Sequence, residues 1–207
     1  PAMGLKQIES PDDLNRYMNI SNFHGLSRRV LSLYGYIIDE RLKDINNFNA
    51  MNENEYNVDE NYRKYDISIT VEEEQFFARF NQAVLKCDYE EIEKMENRYI
   101  DILASKFYSK KCITFNGYLI LTKRLLVCNE QLRKFYQTLY PVIIIDEFQD
   151  TNCLSWNLIC MLIRDETNLF FMGDSLQRIY GFIGAVPNLL DIAKDKYHMS
   201  KRELTQN

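Results

Sequence analysis

The sequence predicts an α/β fold that is mainly helical, and two observations lead to this prediction. Up to about residue 139, apolar residues recur mostly at the spacing of amphipathic helices. After Pro141 the pattern changes to a short apolar strand, a helix and a second short apolar strand. A helix between two such strands favours parallel pairing through a right-handed crossover. We therefore expect a helical module followed by part of an α/β sheet.

The first half of the chain contains two clear helix signals and one break. Apolar spacing predicts a helix from Asp13 to about Leu42. Residues 45–66 are crowded with Asn and acidic residues, so we expect a mobile surface loop there. Thr70 and Glu73 then have the spacing of a capping box, which predicts the start of the next helix.

Further along, Asp88 and Glu91 repeat that capping pattern for another helix. A third helical stretch is predicted over about 115–139, and the strand, helix and strand follow at 142–145, 153–164 and 169–172. Continuous apolar runs of this kind are typical of parallel strands that are buried on both faces.

Composition limits the class of protein. A chain of 207 residues with 46% hydrophobic residues can bury a substantial core, and its net charge of -5 gives no overall basic footprint for nucleic acid. The five cysteines form no C-x-x-C pair, which favours a reduced intracellular protein over a zinc site or disulfide framework. No apolar run is long enough to span a membrane, and we expect a cytoplasmic protein without membrane contact.

Two acidic residues stand where the first predicted strand ends. Asp146 and Glu147 directly follow the apolar run, and ligands of open α/β sheets bind beyond the carboxyl ends of the strands. Adjacent carboxylates there can hold Mg²⁺ and deprotonate a water molecule, as in nucleotide hydrolases. The same letters also fit a buried strand that ends in a solvated acidic loop, so this pattern alone leaves both interpretations open.

The second strand ends in a similar way, in GDSLQRIYGFIGA at 173–185. Gln177 could reach a terminal phosphate, and Tyr180 and Phe182 could stack on nucleic-acid bases. Alternatively, the two aromatic residues could simply fill the core.

Taken together, DEFQDTN at 146–152 and GDSLQRIYGFIGA resemble motifs II and III of the UvrD/Rep/PcrA helicases of superfamily one. Three weaker matches occur in the expected order. ISNFHGLSRRVLSLYG at 20–35 resembles motif Ib, ITFNGYLILTKRLL at 113–126 occupies the place of a DFDDLL segment, and ELTQN at 203–207 resembles the start of motif IV.

The resemblance implies a partial RecA-like P-loop NTPase domain (1A) with an inserted helical subdomain (1B). Residues 1–4 are interpreted as a cloning scar, 5–35 as part of 1A with motif Ib, 36–112 as 1B, and 113–207 as the rest of 1A. It also implies ATP and Mg²⁺ as cofactors of the whole protein and single-stranded DNA as its partner, with movement in the 3′-to-5′ direction.

The resemblance further assigns roles to residues of the nucleotide site. Asp146 would hold Mg²⁺, Glu147 would be the base for the attacking water, and Gln177 would sense the γ-phosphate. Gln149 and Asp174 would belong to the nucleotide site, with Gln149 coupling it to DNA.

A second set of residues would contact DNA. Phe23, His24 and Arg28 lie in or beside the motif Ib match, and Tyr180 and Phe182 would stack on bases.

The sequence departs from the family pattern at several positions of these motifs. Ile183 replaces the usual Arg of motif III, Ser155 replaces a Gln, and Asn116 with Gly117 replaces a pair of acids. The sequence contains no G-x-x-x-x-G-K-[ST] loop to cradle phosphates. We therefore expect this fragment to be inactive alone.

Other interpretations remain open. The chain could come from a non-catalytic DNA-binding or scaffolding module, or from a helicase subunit of a recombination or anti-phage defence system. An incomplete sheet would expose unpaired edges, which predicts self-association or strand exchange between copies.

Overall fold

The structure, a computed structural model, describes residues 18–52, 62–174 and 185–203, and this part of the chain is mostly helical. Its α-helices are α1 Phe23–Tyr34, α2 Val71–Lys86, α3 Tyr89–Ile102, α4 Phe115–Cys128, α5 Glu130–Leu139, α6 Cys153–Leu162 and α7 Leu189–Tyr197. Its strands are β1 Asn49–Met51, β2 Cys112–Thr114, β3 Val142–Ile145 and β4 Asn168–Phe171.

Helix α1 is shorter than predicted. Its first turn is capped by Asn22, whose side chain accepts the Gly25 N–H at 2.7 Å, and the helix ends at Tyr34. The predicted continuation to Leu42 is wrong, because two 3-10 segments, Gly35–Ile37 and Glu40–Asn47, follow instead. Asp39 is extended and caps the second segment, which stops the α-helix from continuing through it.

The predicted loop at 45–66 is also wrong where the structure describes it. Strand β1 lies in this stretch and pairs in parallel with β2, with Asn49 opposite Cys112. Ile45, Phe48 and Met51 are buried. Burial of these apolar side chains outweighs the low strand propensity of the Asn-rich stretch.

The capping signals of the next two helices are confirmed. Thr70 and Glu73 form the full capping box of α2, and Asp88 accepts the Glu91 N–H at the start of α3. The third helical stretch is two helices, because the side chain of Asn129, which follows α4, accepts the Leu132 N–H and starts α5.

The strand, helix and strand after Pro141 are confirmed as a parallel βαβ unit. Strand β3 pairs with β4 from Val142↔Asn168 to Ile145↔Phe171. The prediction that both faces of these strands are buried is wrong for the described residues, because alternate side chains of the strand pair are about half exposed. These are Val142, Ile144, Phe170 and Met172, at 48–56% exposure. The period of two places all four on one face of the two-stranded sheet.

One apolar core runs through the helices and the covered face of this sheet. Its fully buried members include Leu31, Phe80, Tyr99, Leu121 and Leu158, which come from five different helices. The core therefore fixes the covered face of β3 and β4, and with it the loops that follow these strands. Within the described ranges, no helix is both long and apolar enough to cross a membrane.

Candidate functional site

The ends of β3 and β4 lie side by side and are tied together beyond the strands themselves. The Met172 N–H donates to the Ile145 carbonyl at 2.8 Å, and the Phe148 N–H donates to the Met172 carbonyl at 2.8 Å. The loop that carries Asp146 and Glu147 therefore meets Gly173 and Asp174 at one edge of the sheet, as the sequence predicts.

The two carboxylates are presented to solvent by an unusual backbone turn. Asp146 and Glu147 are both exposed, and Asp146 Oδ1 accepts the Glu147 N–H at 3.0 Å. Glu147 has φ 49°, in the left-handed region. Non-glycine residues adopt this region infrequently, and such conformations cluster at functional sites.

Gln149 links the acidic loop to the end of β4. This side chain is 5% exposed; its Nε2 donates to Glu147 Oε2 at 2.7 Å, and its Oε1 accepts the Asp174 N–H at 3.1 Å. The amide of one buried residue thus holds a Glu147 oxygen and the β4 loop in a fixed relation. An oriented carboxylate of this kind can accept a proton from a correctly placed water.

Gly173 makes this arrangement possible, although the sequence analysis did not single it out. A Cβ at this position would lie 2.3 Å from Gln149 Oε1, which is closer than real Cβ atoms approach. Gly173 therefore leaves the space that the Gln149 amide occupies. The only sequence signal is a Gly directly after an apolar strand, where close backbone approach is common.

Below the acidic loop, Phe148 provides a rigid support. This residue stands between Glu147 and Gln149 in sequence, and its side chain is fully buried. Its ring stacks on Phe171 with centroids 4.2 Å apart and meets Trp156 edge-on at 5.7 Å. The loop is thus anchored to β4 and to α6 by aromatic packing.

The donor set at this edge fits Mg²⁺. Magnesium prefers oxygen ligands and is held in nucleotide sites by one or two carboxylates, with waters and phosphates completing the shell. Asp146 and Glu147 supply such carboxylates. Among the described residues there is no cluster of three or more His, Cys, Asp or Glu side chains that could hold a metal ion.

Several predicted residues fall in 175–184, outside the described residues: Gln177, Tyr180, Phe182 and Ile183. The residues on either side of this segment are placed at the site. The Asp174 N–H binds Gln149, and the Val186 N–H donates to the Thr151 carbonyl at 3.0 Å. Asp174 and Val186 are therefore both held beside the acidic loop.

The predicted DNA-contacting residues of motif Ib lie in the first turns of α1. Phe23 packs against the core, and His24 meets Phe115 edge-on with ring centroids 5.0 Å apart. Burial lowers the pKa of His24 below its usual value, so the ring is neutral at neutral pH. Arg28 donates to the backbone carbonyl of Asn46, which holds its guanidinium near the start of β1.

The His24–Phe115 pair was not anticipated from the sequence. Phe115 begins α4 and is 38% exposed, and its place beside His24 follows from the packing of α1 on α4. Two partly exposed rings at one position offer flat apolar surface of the kind on which nucleic-acid bases stack.

Comparison with known proteins identifies the family of this chain. The family model described as the UvrD/REP helicase N-terminal domain matches residues 5–198. The chain belongs to this family. The UvrD/REP match covers α1, both β-sheets and all the described candidate site residues.

Individual relatives of this UvrD/REP domain are named DNA helicases. A probable DNA helicase of Mycoplasma pneumoniae is 28% identical over 199 residues, covering 91% of this chain and 38% of the relative. PcrA of Bacillus subtilis is 32% identical over 127 residues, covering 57% of this chain and 17% of PcrA. Rep of Escherichia coli is 32% identical over 96 residues, covering 46% of this chain and 14% of Rep. The chain thus spans well under half of the length of these relatives.

Proposed function

We propose that this chain is part of an ATP-dependent DNA helicase that couples Mg-ATP hydrolysis to 3′-to-5′ movement along single-stranded DNA. The observation that carries the proposal is the Glu147–Gln149–Asp174 chain of hydrogen bonds. It orients a carboxylate at the sheet edge where open α/β sheets bind ligands. Family membership and the helicase names of the relatives support the same function.

In this proposal each residue of the site has one task. Asp146 binds Mg²⁺, which when present neutralises charge on the nucleotide phosphates. Glu147 accepts a proton from the attacking water through its carboxylate, and Gln149 keeps that carboxylate in place. Gln177 contacts the terminal phosphate, and Asp174 completes the nucleotide side of the edge.

The DNA side of the proposal uses the neutral His24 with Phe23, the nearby Arg28, and the aromatic residues Tyr180 and Phe182. Because His24 is uncharged at neutral pH, it would contribute stacking and hydrogen bonding, while Arg28 would contribute charge. The domain division proposed with this function places 5–35 and 113–207 in the 1A domain and 36–112 in the 1B subdomain.

The decisive experiment measures ATP hydrolysis by the full-length gene product, with and without single-stranded DNA. We expect DNA-stimulated hydrolysis that falls at least a hundredfold in Glu147→Gln, on the scale of general-base catalysis, about 10²–10⁴-fold. Glu166→Gln is the matched control. Glu166 is an exposed acid whose side chain pairs with Arg164 before β4, and its loss should leave hydrolysis unchanged.

Absence of hydrolysis in the full-length protein, together with tight DNA binding, would instead support the non-catalytic DNA-binding module. We also propose that the 207-residue chain alone does not hydrolyse ATP, because its sequence has no phosphate-binding G-x-x-x-x-G-K-[ST] loop. Measurable Mg-dependent hydrolysis by this chain that is lost in Glu147→Gln would contradict that statement.

The exposed sheet face supports one further proposal about partners, that copies of this chain associate through it. Ile144 and Phe170 lie opposite each other in the β3–β4 pair and are 55% and 56% exposed. Two identical apolar faces can cover each other about a twofold axis. Light scattering should show concentration-dependent dimers that Ile144→Thr weakens, and a constant monomeric mass at high concentration would contradict the proposal.

A further inference from the structure

Two cysteines from distant parts of the sequence meet where α2 ends and α6 begins. Cys87 directly follows α2, and Cys153 is the first residue of α6. The Val84 carbonyl oxygen accepts both the Cys87 N–H at 3.2 Å and the Cys153 thiol at 3.4 Å. One acceptor atom therefore holds the Cys153 sulfur beside the Cys87 backbone.

The two residues also influence each other electrostatically. After burial, Cys87 is among the causes that raise the pKa of the Cys153 thiol, and both cysteines are present as thiols. Cys87 adopts the left-handed conformation with φ 54°. This turn ends α2 beside the first residue of α6, whose thiol binds the last turn of α2.

The two thiols differ in accessibility. Cys153 is fully buried, and burial raises the pKa of its thiol to about 12. Cys87 is only half-buried, so an oxidant in solution reaches Cys87 first. The pair thus has the arrangement of a reachable sulfur next to a protected one.

We propose that Cys87 and Cys153 form a disulfide when the protein meets a peroxide, and that this bond ties α2 to α6. The Cys87 sulfur attacks one oxygen of hydrogen peroxide, the O–O bond breaks, and the released hydroxide takes the thiol proton to leave as water. The Cys153 sulfur then attacks the resulting sulfenic acid of Cys87. The S–S bond forms, the S–O bond breaks, and the hydroxide leaves as a second water with the Cys153 proton.

The other cysteines are poorer partners for these two. Cys160 lies on the same helix as Cys153, and at 1.5 Å per residue the two are about 10 Å apart, beyond the reach of a disulfide. The Cys160 sulfur instead accepts a hydrogen bond from Lys196 Nζ at 3.3 Å. Cys112 is buried and its thiol donates to the Lys110 carbonyl, while Cys128 is exposed on α4.

The position of the bond gives it a consequence for the candidate site. Helix α6 starts three residues after Asp150, directly behind the acidic loop. A disulfide at Cys153, the first residue of α6, would link α6 covalently to the end of α2. It would thereby also restrain the short segment that joins the acidic loop to α6. The proposal stands on the thiol geometry alone and does not depend on the helicase function.

The test is a disulfide map of the native 207-residue protein after treatment with hydrogen peroxide. Remaining thiols are alkylated, the protein is digested without reductant, and the linked peptides are identified by mass spectrometry. We expect a Cys87–Cys153 peptide as the main linkage, reversed by dithiothreitol and lost when oxidation is performed in concentrated guanidinium. We also expect the thermal midpoint to rise by about 5–10 °C on oxidation.

Variants separate this bond from other oxidation. Cys87→Ser should abolish both the linked peptide and the thermal shift, whereas Cys128→Ser, which removes an exposed thiol elsewhere, should retain both. Recovery of Cys87 and Cys153 as alkylated thiols after oxidation, or of Cys87 linked to Cys160, would overturn the proposal. The map of the unsubstituted protein decides this even if Cys87→Ser does not fold.

Discussion

Gly173→Ala offers the most direct test of how the acidic loop is held. The added Cβ would lie 2.3 Å from Gln149 Oε1, so the amide must move away. That movement breaks the hydrogen bonds from Asp174 N–H and to Glu147 Oε2. Each bond contributes about 1 kcal/mol net, and we expect the free energy of unfolding to fall by about 2 kcal/mol.

The assay is urea-induced unfolding followed by circular dichroism, for Gly173→Ala alone and combined with Gln149→Ala. Once Gln149 has lost its amide, the two nearest of the remaining neighbours of the added methyl are the Gln149 and Phe148 backbone nitrogens, at 3.3 and 3.4 Å. We therefore expect a coupling free energy of about 2 kcal/mol between the two substitutions.

A matched control is Gly25→Ala in α1, whose Cβ would meet the hydroxyl of the exposed Ser21 at 2.5 Å. That hydroxyl can exchange its exposed hydrogen bond to the Asn22 carbonyl for one to water, and the capping oxygen Asn22 Oδ1, at 3.1 Å from the added Cβ, needs to move by only a few tenths of an ångström. This variant should therefore keep its stability within about 0.5 kcal/mol. If Gly173→Ala costs the same with and without the Gln149 amide, the clash lies with the backbone and the argument is refuted.

Three further predictions concern single side chains. Burial disfavours the charged form of His24 and lowers its pKa below the usual value of 6.5. The unfolded chain therefore takes up the proton first as pH falls below that value, so stability that is present above pH 6.5 is lost below it. His24→Gln should lose less stability than the unsubstituted protein between about pH 7.5 and about pH 5.5. Glu96 is 6% exposed and accepts hydrogen bonds from Lys123 and Arg124 at 2.6 and 3.0 Å. Glu96→Gln should therefore lower the free energy of unfolding in urea by about 2 kcal/mol. An unchanged midpoint would show that Lys123 and Arg124 are equally stable when they are solvated instead of paired. Phe148→Ala should cost about 3–5 kcal/mol, measured by thermal unfolding, and a loss below about 1 kcal/mol would mean that the loop is not anchored by this ring.

The sequence predicted the parts of the fold that are encoded locally. The capping box at Thr70 and Glu73 and the apolar runs of β3 and β4 each lie within a few residues, so pattern rules found them. Strand β1 was missed because it is three residues long and its partner β2 lies far along the chain. A pattern within a few neighbouring residues cannot predict pairing between two strands that lie so far apart in the sequence.

The candidate site was predictable to a similar extent. Asp146 and Glu147 were found because acidic residues directly follow an apolar strand. The role of Gly173 depends on space filled by the side chain of Gln149, and the His24–Phe115 pair depends on the packing of α1 on α4. Such contacts are set by tertiary structure, so residue patterns do not contain them.

The aromatic support of the acidic loop also gives the protein a built-in optical reporter. Trp156 is the only tryptophan of the chain, and its indole is 5% exposed and touches both Phe148 and Phe171. Phe148 sits between Glu147 and Gln149 in sequence, so a shift of that loop changes the surroundings of the indole. Its emission spectrum can therefore follow events at the sheet edge in real time, without any attached dye.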